Sequence, residues 1–373
     1  MLRVRRVVFP LLTGAAVIVA FGLAANAQAQ YPKPTDLPNP YRLVEGWPTI
    51  PQNMNGGRWG EVIRVHVARD GNIWVFHRCF NTVPPGSAVC INRGPANPPI
   101  LQFDPEGKLL TSFGGGMIAM PHGFTVDREG NIWACDVNKA ETIMGLSTKA
   151  TDGPFKGQPR GLQCFKFSPA GKVLMTLGKA GVAGNGPDTF NSPEDIGVAA
   201  NGDIFVLDAG NKIARVMKFS KDGKFIKEWG RIGSARGEFR TPHALAFDSR
   251  GRLFVADRGN HRIQIFDQDG NYIDSYYQFG RVSGLFVTAD DTLYTIDSES
   301  DQTRHPNWRT GVRIGRTAED KVTAFIPPHF SDTRPLGVAG EGVAVDPDGN
   351  VYAAEGPGSR PAAGGGLTKY IKR

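Results

Sequence analysis

The sequence predicts an all-β fold, a six-bladed β-propeller of four-stranded antiparallel blades in which an N-terminal strand closes the last blade. Two observations support this prediction. Apolar and polar residues alternate around short turns, as they do in antiparallel hairpins. The same turn recurs six times, at spacings of 40 to 72 residues. One meander of strands cannot bury both of its faces, whereas blades stacked around an axis can.

The recurring turn joins the first two strands of each predicted blade, and its fifth copy lacks the glycine of the others. The six copies are Arg69-Asp70-Gly71-Asn72, Arg128-Glu129-Gly130-Asn131, Ala200-Asn201-Gly202-Asp203, Ser249-Arg250-Gly251-Arg252, Ala289-Asp290-Asp291-Thr292 and Pro347-Asp348-Gly349-Asn350. A second turn recurs at 103–108, 167–172, 219–224 and 266–271. Together the two turns predict the outer as well as the inner hairpin of a blade.

The first residues predict where the protein goes. Three arginines precede an apolar run, and Ala27-Gln28-Ala29 offers a cleavage site between small residues, as in a secretory signal peptide. A membrane anchor is the alternative reading. We assign 1–29 to the signal peptide, 30–42 to a proline-rich extended arm and 43–373 to the propeller. The mature chain is therefore expected to be periplasmic or secreted.

The charge excludes two classes of partner. The net charge is +7, and the predicted signal peptide carries three arginines and no acid, which leaves +4 for the mature chain. That charge is small and scattered along the sequence, so it favours neither nucleic acid nor membrane binding after signal cleavage. We expect a monomer that acts on a small peptide or amide-type substrate, with a protein partner as the other option.

The four cysteines suit an oxidising compartment. Cys79 and Cys90 lie either side of one loop, and Cys135 and Cys164 fall in predicted neighbouring strands. We expect a disulfide within each of these pairs, one of three possible connectivities. A thiolate zinc site is the alternative, although the chain contains no CxxC spacing.

The two ends of the chain are expected to share one blade. The segment 41–47, YRLVEGW, is similar to the outer-strand pattern KFIKEWG at 224–230, whereas the sixth repeat ends without such a strand. An N-terminal strand at the outside of the last blade would also remove an open sheet edge.

Aligning the repeats on their first turn predicts which side chains face the central channel. One residue per blade falls at the same level, in the order Ile63, His122, Glu194, His243, Ser283 and Glu341. Blades two, four and six then contribute two imidazoles and a carboxylate with approximate threefold spacing. Such donors suit zinc at a catalytic centre, or iron or manganese. We therefore predict a metal site made of His122, His243 and Glu341, while hydrogen bonding to the backbone is the alternative role for these side chains.

Several segments resemble known families. The pattern VADRGNHRIQIF with the upstream TPHALAF resembles the NHL repeat. More specifically, VFHR at 75–78, MPHGFTVDREGNIW at 120–133, FSKDGKFIKEWG at 219–230 and TPHALAF at 241–247 resemble the peptidyl-α-hydroxyglycine α-amidating lyase family. The resemblance extends from about Glu61 to Glu355. It implies a six-bladed propeller, a zinc ion held by three histidines and a lyase reaction.

The resemblance assigns further residues and exposes three departures. Arg78 and Arg258 match arginines of the family's active site, where the planar guanidinium suits a carboxylate or a developing oxyanion. Surface ion pairing is the alternative role. The third family histidine is replaced by Glu341, and the family's catalytic tyrosine by Gly210. The aspartate that helps to hold a structural calcium is replaced by Gly342, which puts calcium in doubt.

Two sets of carboxylates remain. The residues that the alignment places at one level of the channel, from Ile63 to Glu341, are called the ring below, and Glu194 is one of them. We propose Glu194 as the base that takes a proton from a substrate hydroxyl, with backbone capping as the alternative. Four further aspartates end second strands and are expected to cap the turns that follow them. They are Asp136, Asp208, Asp257 and Asp297.

The sequence thus predicts a secreted metal-dependent lyase with Arg78, Arg258 and Glu194 as catalytic residues. By resemblance, the reaction cleaves the N–Cα bond of a carbinolamide and releases an amide and glyoxylate. A related metal-dependent hydrolase or lactonase would use the same site. The alternative from another class is a non-catalytic NHL propeller that binds peptides or proteins, and the metal content separates the two.

Overall fold

The computed structural model describes residues 37–79, 90, 96–137, 142–143, 146–147, 149, 156–210, 213–328, 340–355 and 366–373. The predicted signal peptide and most of the predicted arm lie outside this part of the chain. Within it, no helix has the length and apolar character needed to cross a membrane. The short 3₁₀ turns of the described ranges are Asn55–Gly57 and Arg258–Asn260.

Six antiparallel sheets of four strands form a propeller, as the sequence predicts. The first strand of the chain, β1 (Tyr41–Val44), belongs to the last blade. Blade one contains β2 (Val62–Val67), β3 (Ile73–His77), β4 (Ile100–Phe103) and β5 (Leu109–Phe113). Blade two contains β6 (Pro121–Val126), β7 (Ile132–Asp136), β10 (Gln163–Phe167) and β11 (Val173–Gly178), with β8 (Thr142–Ile143) and β9 (Leu146–Ser147) pairing as a separate small hairpin.

The remaining blades follow the same order. Blade three contains β12 (Pro193–Val198), β13 (Ile204–Asp208), β14 (Arg215–Phe219) and β15 (Phe225–Trp229). Blade four contains β16 (Pro242–Phe247), β17 (Leu253–Asp257), β18 (Arg262–Phe266) and β19 (Tyr272–Tyr276). Blade five contains β20 (Val282–Val287), β21 (Thr292–Asp297), β22 (Gly311–Arg316) and β23 (Glu319–Ile326). Blade six contains β24 (Gly342–Val345), β25 (Val351–Glu355), β26 (Gly366–Lys372) and β1.

The predicted closure of the last blade is confirmed. Strand β1 pairs antiparallel with β26, and Tyr41 lies opposite Lys372. The propeller therefore starts at Tyr41, just before the predicted boundary at residue 43. The innermost strand of each blade contacts those of its two neighbours, in the closed order β2, β6, β12, β16, β20, β24 and back to β2.

The turn that predicted the repeat has one geometry in all six blades. In blade one, the Ala68 amide donates to the Asn72 carbonyl at 2.9 Å and the Gly71 amide to the Ala68 carbonyl at 3.0 Å. The turn requires a left-handed residue at its third position, which glycine adopts without strain. The copy that lacks glycine uses Asp291 there, with φ of +64°. The degenerate fifth turn is therefore a true member of the repeat.

Aromatic and branched side chains fill the spaces between blades. Between blades one and two, Trp74, Phe76, Phe124 and Phe165 belong to one buried cluster. The rings of Phe76 and Phe124 stack with centroids 5.2 Å apart. Each such side chain stabilises the fold by roughly 1.5–3 kcal/mol relative to exposure, so stacking of neighbours holds the blades together.

Both predicted disulfides are confirmed. Cys79 bonds to Cys90 and Cys135 to Cys164. The second pair joins β7 and β10, in which the two cysteines lie directly opposite each other. Every cysteine of the chain is thus in a disulfide, which is consistent with an oxidising compartment.

Candidate metal centre

A β-bulge near the start of the inner strand places the predicted channel residues. The ladder to the second strand shifts register between Val62 and Arg64, and equivalent shifts occur in blades two to five. The bulge residues are those that the repeat alignment selected, namely Ile63, His122, Glu194, His243 and Ser283. Bulges re-aim side chains, often next to active sites. In blade six, Glu341 immediately precedes β24.

The two histidines of the ring are buried and face each other. His122 is 5% exposed and His243 is 4% exposed, and their ring centroids lie 4.6 Å apart. Each Nδ1 lies 2.7 Å from a backbone carbonyl, that of Glu194 or of Ser283. A carbonyl oxygen only accepts, so we assign the ring proton to Nδ1 in both histidines. The Nε2 lone pairs are then available as ligands.

Two carboxylates face these nitrogen atoms. Glu194 Oε2 lies 3.2 Å from His122 Nε2, while its Oε1 accepts a hydrogen bond from the Ser192 hydroxyl at 2.5 Å. Glu341 Oε2 lies 3.8 Å from His122 Nε2 and 3.6 Å from His243 Nε2. Within the described residues, this buried oxygen has no hydrogen-bond partner. The structure therefore brings together the three predicted ligands and Glu194.

The imidazoles are held in their neutral form. Burial lowers the pKa of both well below the ordinary histidine value. Positive guanidinium groups lower it further, from Arg64 and Arg78 at His122 and from Arg258 and Arg64 at His243. Neutral nitrogen lone pairs thus face carboxylate oxygens, an arrangement of acceptors that a cation would stabilise.

This donor set fits a divalent transition metal. The ligand atoms of His122, Glu194 and His243 all lie within 4.8 Å of one another, and Glu341 Oε2 lies between the two imidazoles. Nitrogen with carboxylate oxygen suits zinc, iron and manganese. Such a centre would act as a Lewis acid with open positions for a substrate.

The other two aligned residues do not join the donor set. Ile63 is fully buried in the core between blades one and two. The Ser283 hydroxyl lies 2.7 Å from that of Ser298 and accepts a hydrogen bond from Arg258 Nη1 at 3.4 Å. Ser283 therefore links the backbone that holds His243 to a predicted catalytic arginine.

The two predicted arginines differ in how firmly they are held. Arg78 is buried and its Nη1 lies 2.8 Å from Glu61 Oε2, while its Nε donates to the Pro121 carbonyl. Burial alone would lower the pKa of Arg78, but the carboxylates of Glu61 and Glu341 raise it. Arg78 therefore does form an ion pair, but the pair with Glu61 lies in the interior beside the ring and not on the surface. Arg258 has looser contacts, 3.4 Å to Ser283 Oγ and 3.6 Å to Glu299.

Two family positions occupied here by glycine have no room for a side chain. A Cβ at Gly210, where the family has tyrosine, would lie 2.6 Å from Asn191 Cβ. A Cβ at Gly342, where the family has the calcium aspartate, would lie 2.9 Å from Arg64 Cα. The local packing therefore differs from a site that carries these two side chains, and Gly342 offers no carboxylate to calcium.

The aspartates that end the second strands are structural, as predicted. Asp297 caps the turn that follows it by accepting the amides of Glu299 and Ser300, and Asp257 accepts the side-chain amide of Asn260. Asp136 accepts the amides of Ala119 and Met120, and Asp208 those of Asn191 and Ser192. These amides lie in the segment that leads into the inner strand, which is a set of partners that the prediction did not include. The aspartates therefore fix the approach to the ring.

Three charged residues beside the ring were not predicted from the sequence, namely Glu61, Arg64 and Asp195. Arg64 and Asp195 directly follow ring positions, where the other blades have Gly123, Ala244, Gly284 and Gly342. The repeat alignment could have identified Arg64 and Asp195, because they are two opposite charges at a position where the other four blades have glycine or alanine. Glu61 carried no comparable signal, because it lies before the repeat pattern begins.

Comparisons with known proteins bear on the fold and on the sequence family. Residues 239–266 match the NHL repeat model. The chain is 33% identical over 267 residues to peptidyl-glycine alpha-amidating monooxygenase A of Xenopus laevis, covering 69% of this chain and 26% of the relative. It is 30% identical over 349 residues to peptidyl-alpha-hydroxyglycine alpha-amidating lyase 1 of Drosophila melanogaster, covering 86% and 58%. It is 28% identical over 235 residues to human NHL repeat-containing protein 3, covering 61% and 57%.

The chain thus spans about a quarter of the frog enzyme and little more than half of the fly lyase. Among solved structures, a gluconolactonase from Xanthomonas campestris is similar with a TM-score of 0.53 at 15% identity, over 90% of this chain and 98% of that one. At that identity, the likeness supports the fold alone. The chain is therefore an NHL-repeat six-bladed β-propeller whose sequence resembles the peptidyl-α-hydroxyglycine α-amidating lyases.

Proposed function

We propose that the chain is a secreted, metal-dependent lyase that cleaves the N–Cα bond of a carbinolamide, as in a peptide ending in α-hydroxyglycine. The products are an amide and glyoxylate. The observation that carries the proposal is the buried ring in which the acceptors of His122, His243, Glu194 and Glu341 face one another. The similarity to amidating lyases supplies the reaction class.

His122, His243 and Glu341 would hold the metal. Glu341 fits the third position because its buried Oε2 lies between the imidazoles and has no other hydrogen-bond partner within the described residues. A bound zinc ion supplies Lewis-acid chemistry, which polarises a substrate oxygen and lowers the pKa of a hydroxyl. Iron or manganese would suit the same donors.

Glu194 would act as the base. Its Oε1 is held by the Ser192 hydroxyl, so Oε2 stays directed towards the ring. The carboxylate accepts the proton of the substrate hydroxyl, the C–N bond breaks, and its electron pair goes to the amide nitrogen. The proton returns from Glu194 to that nitrogen, and the former hydroxyl carbon becomes the aldehyde of glyoxylate.

The two arginines would serve different charges. Arg258 is weakly engaged, at 3.4 Å from Ser283 Oγ and 3.6 Å from Glu299, so it suits the substrate carboxylate. Arg78 is already paired with Glu61. It would therefore stabilise the negative charge that develops beside the ring.

The compartment follows from the same proposal. Both disulfides are formed, and the predicted signal peptide would direct the chain to the periplasm or the exterior, where such bonds persist. A peptide-type substrate would meet the enzyme there.

The test combines metal content with product release. Purified protein is assayed for zinc, iron and manganese, and for glyoxylate release from a peptide that ends in α-hydroxyglycine. We expect stoichiometric metal and metal-dependent release. His261→Asn is the control for histidine variants of the ring and should retain metal. This histidine lies outside the ring, and its left-handed φ of +55° suits asparagine. A protein without stoichiometric metal would instead support the peptide-binding propeller.

A second comparison separates the ligand from the base. Glu341→Gln should weaken metal binding, whereas Glu194→Gln should retain metal and lose glyoxylate release. The reverse pattern would exchange the two roles.

A further inference from the structure

The guanidinium of Arg64 occupies the channel beside the ring. Arg64 lies on β2 of blade one, one residue after the bulge, and is 5% exposed. Its partners belong to blades three, four and six as well as blade one. The side chain therefore joins blades that are not neighbours in the propeller.

The contacts of Arg64 resemble the coordination of a cation. Nη1 donates to the carbonyls of Ile63 at 3.1 Å and Glu341 at 2.6 Å. Nη2 donates to the carbonyl of His243 at 2.9 Å. Nε lies 3.7 Å from Asp195 Oδ1. Three backbone carbonyls and one carboxylate thus converge on a single positive group.

Two of those carbonyls belong to proposed metal ligands. The backbone oxygens of His243 and Glu341 are both held by Arg64, and these residues come from different blades. The guanidinium is planar and rigid, so it fixes the distance between the two backbones. The relative placement of the two side chains then depends on Arg64.

Asp195 of blade three is the carboxylate that pairs with Arg64. It is buried, and it accepts the Leu245 amide at 2.9 Å and the Phe124 amide at 3.4 Å, which lie in blades four and two. A Cβ at Gly123 would lie 2.7 Å from Asp195 Cα. In the other blades, the residue after the ring position is glycine or alanine, and these small residues leave room for Arg64 and Asp195.

We infer that Arg64 is a positioning residue whose guanidinium acts as an internal cation at the centre of the propeller and holds the metal ligands in place before metal binds. The inference rests on the proposed metal site for its function, but the internal cation itself does not. Removal of Arg64 leaves three carbonyls without this donor and the Asp195 carboxylate without its counterion. Second-layer groups of this kind change metal affinity by about 10- to 100-fold.

The test measures cobalt(II) and zinc affinity by competition with a chelator, together with the cobalt electronic spectrum. Arg64→Ala should weaken binding by about 10- to 100-fold and change the spectrum, although every ligand is still present. Millimolar guanidinium ion should restore both, whereas tetramethylammonium, which cannot donate hydrogen bonds, should not. Wild-type affinity and spectrum in Arg64→Ala would overturn the inference.

Two further measurements keep the test decisive. If Arg64→Ala does not fold, the double variant R64Q/D195N removes both charges together, and it should still bind cobalt more weakly than wild type. If wild-type protein binds no metal, the proposed function fails. The inference is then judged by thermal unfolding, in which guanidinium should raise the midpoint of Arg64→Ala but leave wild type unchanged. An equal response of both proteins would refute the internal cation.

Discussion

Two polar layers lie side by side at one end of the propeller and differ in how their charges are matched. At the ends of the second strands, Asp208 accepts two backbone amides and pairs with Arg215 at 3.1 Å. One step across the ladder, Pro193 lies opposite Asp208, and the next residue is Glu194 of the ring. There, acceptors face acceptors.

The difference separates structural from functional polarity. A buried carboxylate with an arginine and two amides is satisfied within the fold, and it needs nothing from solvent or ligand. In the ring, the buried Oε2 of Glu341 faces two neutral imidazoles and has no hydrogen-bond partner within the described residues, so only an added group can satisfy it. The two neighbouring layers thus have different roles. Mutations in the ring should change metal binding, and mutations at the ends of the second strands should change the free energy of unfolding.

The largest expected effect is on metal binding at the ring. The double variant H122A/H243A removes both nitrogen ligands and should lose bound metal altogether. Each imidazole also donates one hydrogen bond, to the Glu194 or the Ser283 carbonyl, so the free energy of unfolding without metal should fall by about 1–3 kcal/mol for each bond that is lost. Elemental analysis and urea unfolding measure the two quantities. Full metal content in this variant would contradict the site.

The structural layer should respond in the opposite sense. Arg215→Leu leaves Asp208 buried without its partner, which should cost about 3–5 kcal/mol of stability and leave the metal content per folded molecule unchanged. Arg231→Leu is the matched control. Arg231 lies 2.7 Å from Glu238, but its side chain is 81% exposed, so the unfolding curve of Arg231→Leu should stay at the wild-type position. Equal behaviour of the two variants would remove the distinction.

The arginines beside the ring test the boundary between the layers. Arg78→Ala and Arg258→Ala should each retain metal and lower kcat/KM, by about 2–4 kcal/mol if each meets developing charge. We expect Arg258→Ala to raise KM more strongly, because Arg258 is assigned to the substrate carboxylate. Steady-state kinetics with metal analysis provide the measurement. Unchanged kcat/KM in both would place these arginines in the structural layer.

The smallest expected effect is a dependence of stability on pH that comes from outside the ring. Burial lowers the pKa of His77 to about 4, although its hydrogen bond to the Pro98 carbonyl opposes the shift. The unfolded chain takes up this proton near pH 6.5 and the folded protein only near pH 4. Stability is therefore lost as pH falls through that window, by about 1 kcal/mol per pH unit.

His77→Phe should reduce that slope by the contribution of one proton, because other buried histidines such as His122 and His243 also have a lowered pKa. The response of the ring to metal should stay intact. Urea unfolding at several pH values between 4 and 7 measures the slope. An identical slope in the variant would show that His77 does not titrate in this way.

Much of the fold was predictable from the sequence because it depends on local signals. The glycine turns recur at a fixed phase, and the similarity of 41–47 to an outer strand was enough to predict the closure by β1. The phase also selected His122, Glu194 and His243, since a bulge occurs at the same step of the inner strand in blades one to five. It selected Glu341 as the residue immediately before β24.

The rest depended on contacts between distant blades. Arg64 reaches His243 and Glu341 through backbone carbonyls, and no sequence pattern identifies a carbonyl as a partner. The pairing of Arg78 with Glu61 likewise requires two segments of blade one to meet at the channel. The aspartates bind amides that precede the inner strand, because the second strand runs back to the level at which the first begins.

The pairing of β1 with β26 also bears on how the chain folds. Tyr41 and Lys372 are roughly 330 residues apart, so the last blade joins the two most distant parts of the propeller. The entropic cost of closing a loop grows with its length, and contacts between distant residues slow folding. We therefore expect local hairpins and single blades to form first and the circle of six blades to close late. Until then the outer edge of β26 is exposed, so the nearly complete propeller is the species most prone to pair with another chain.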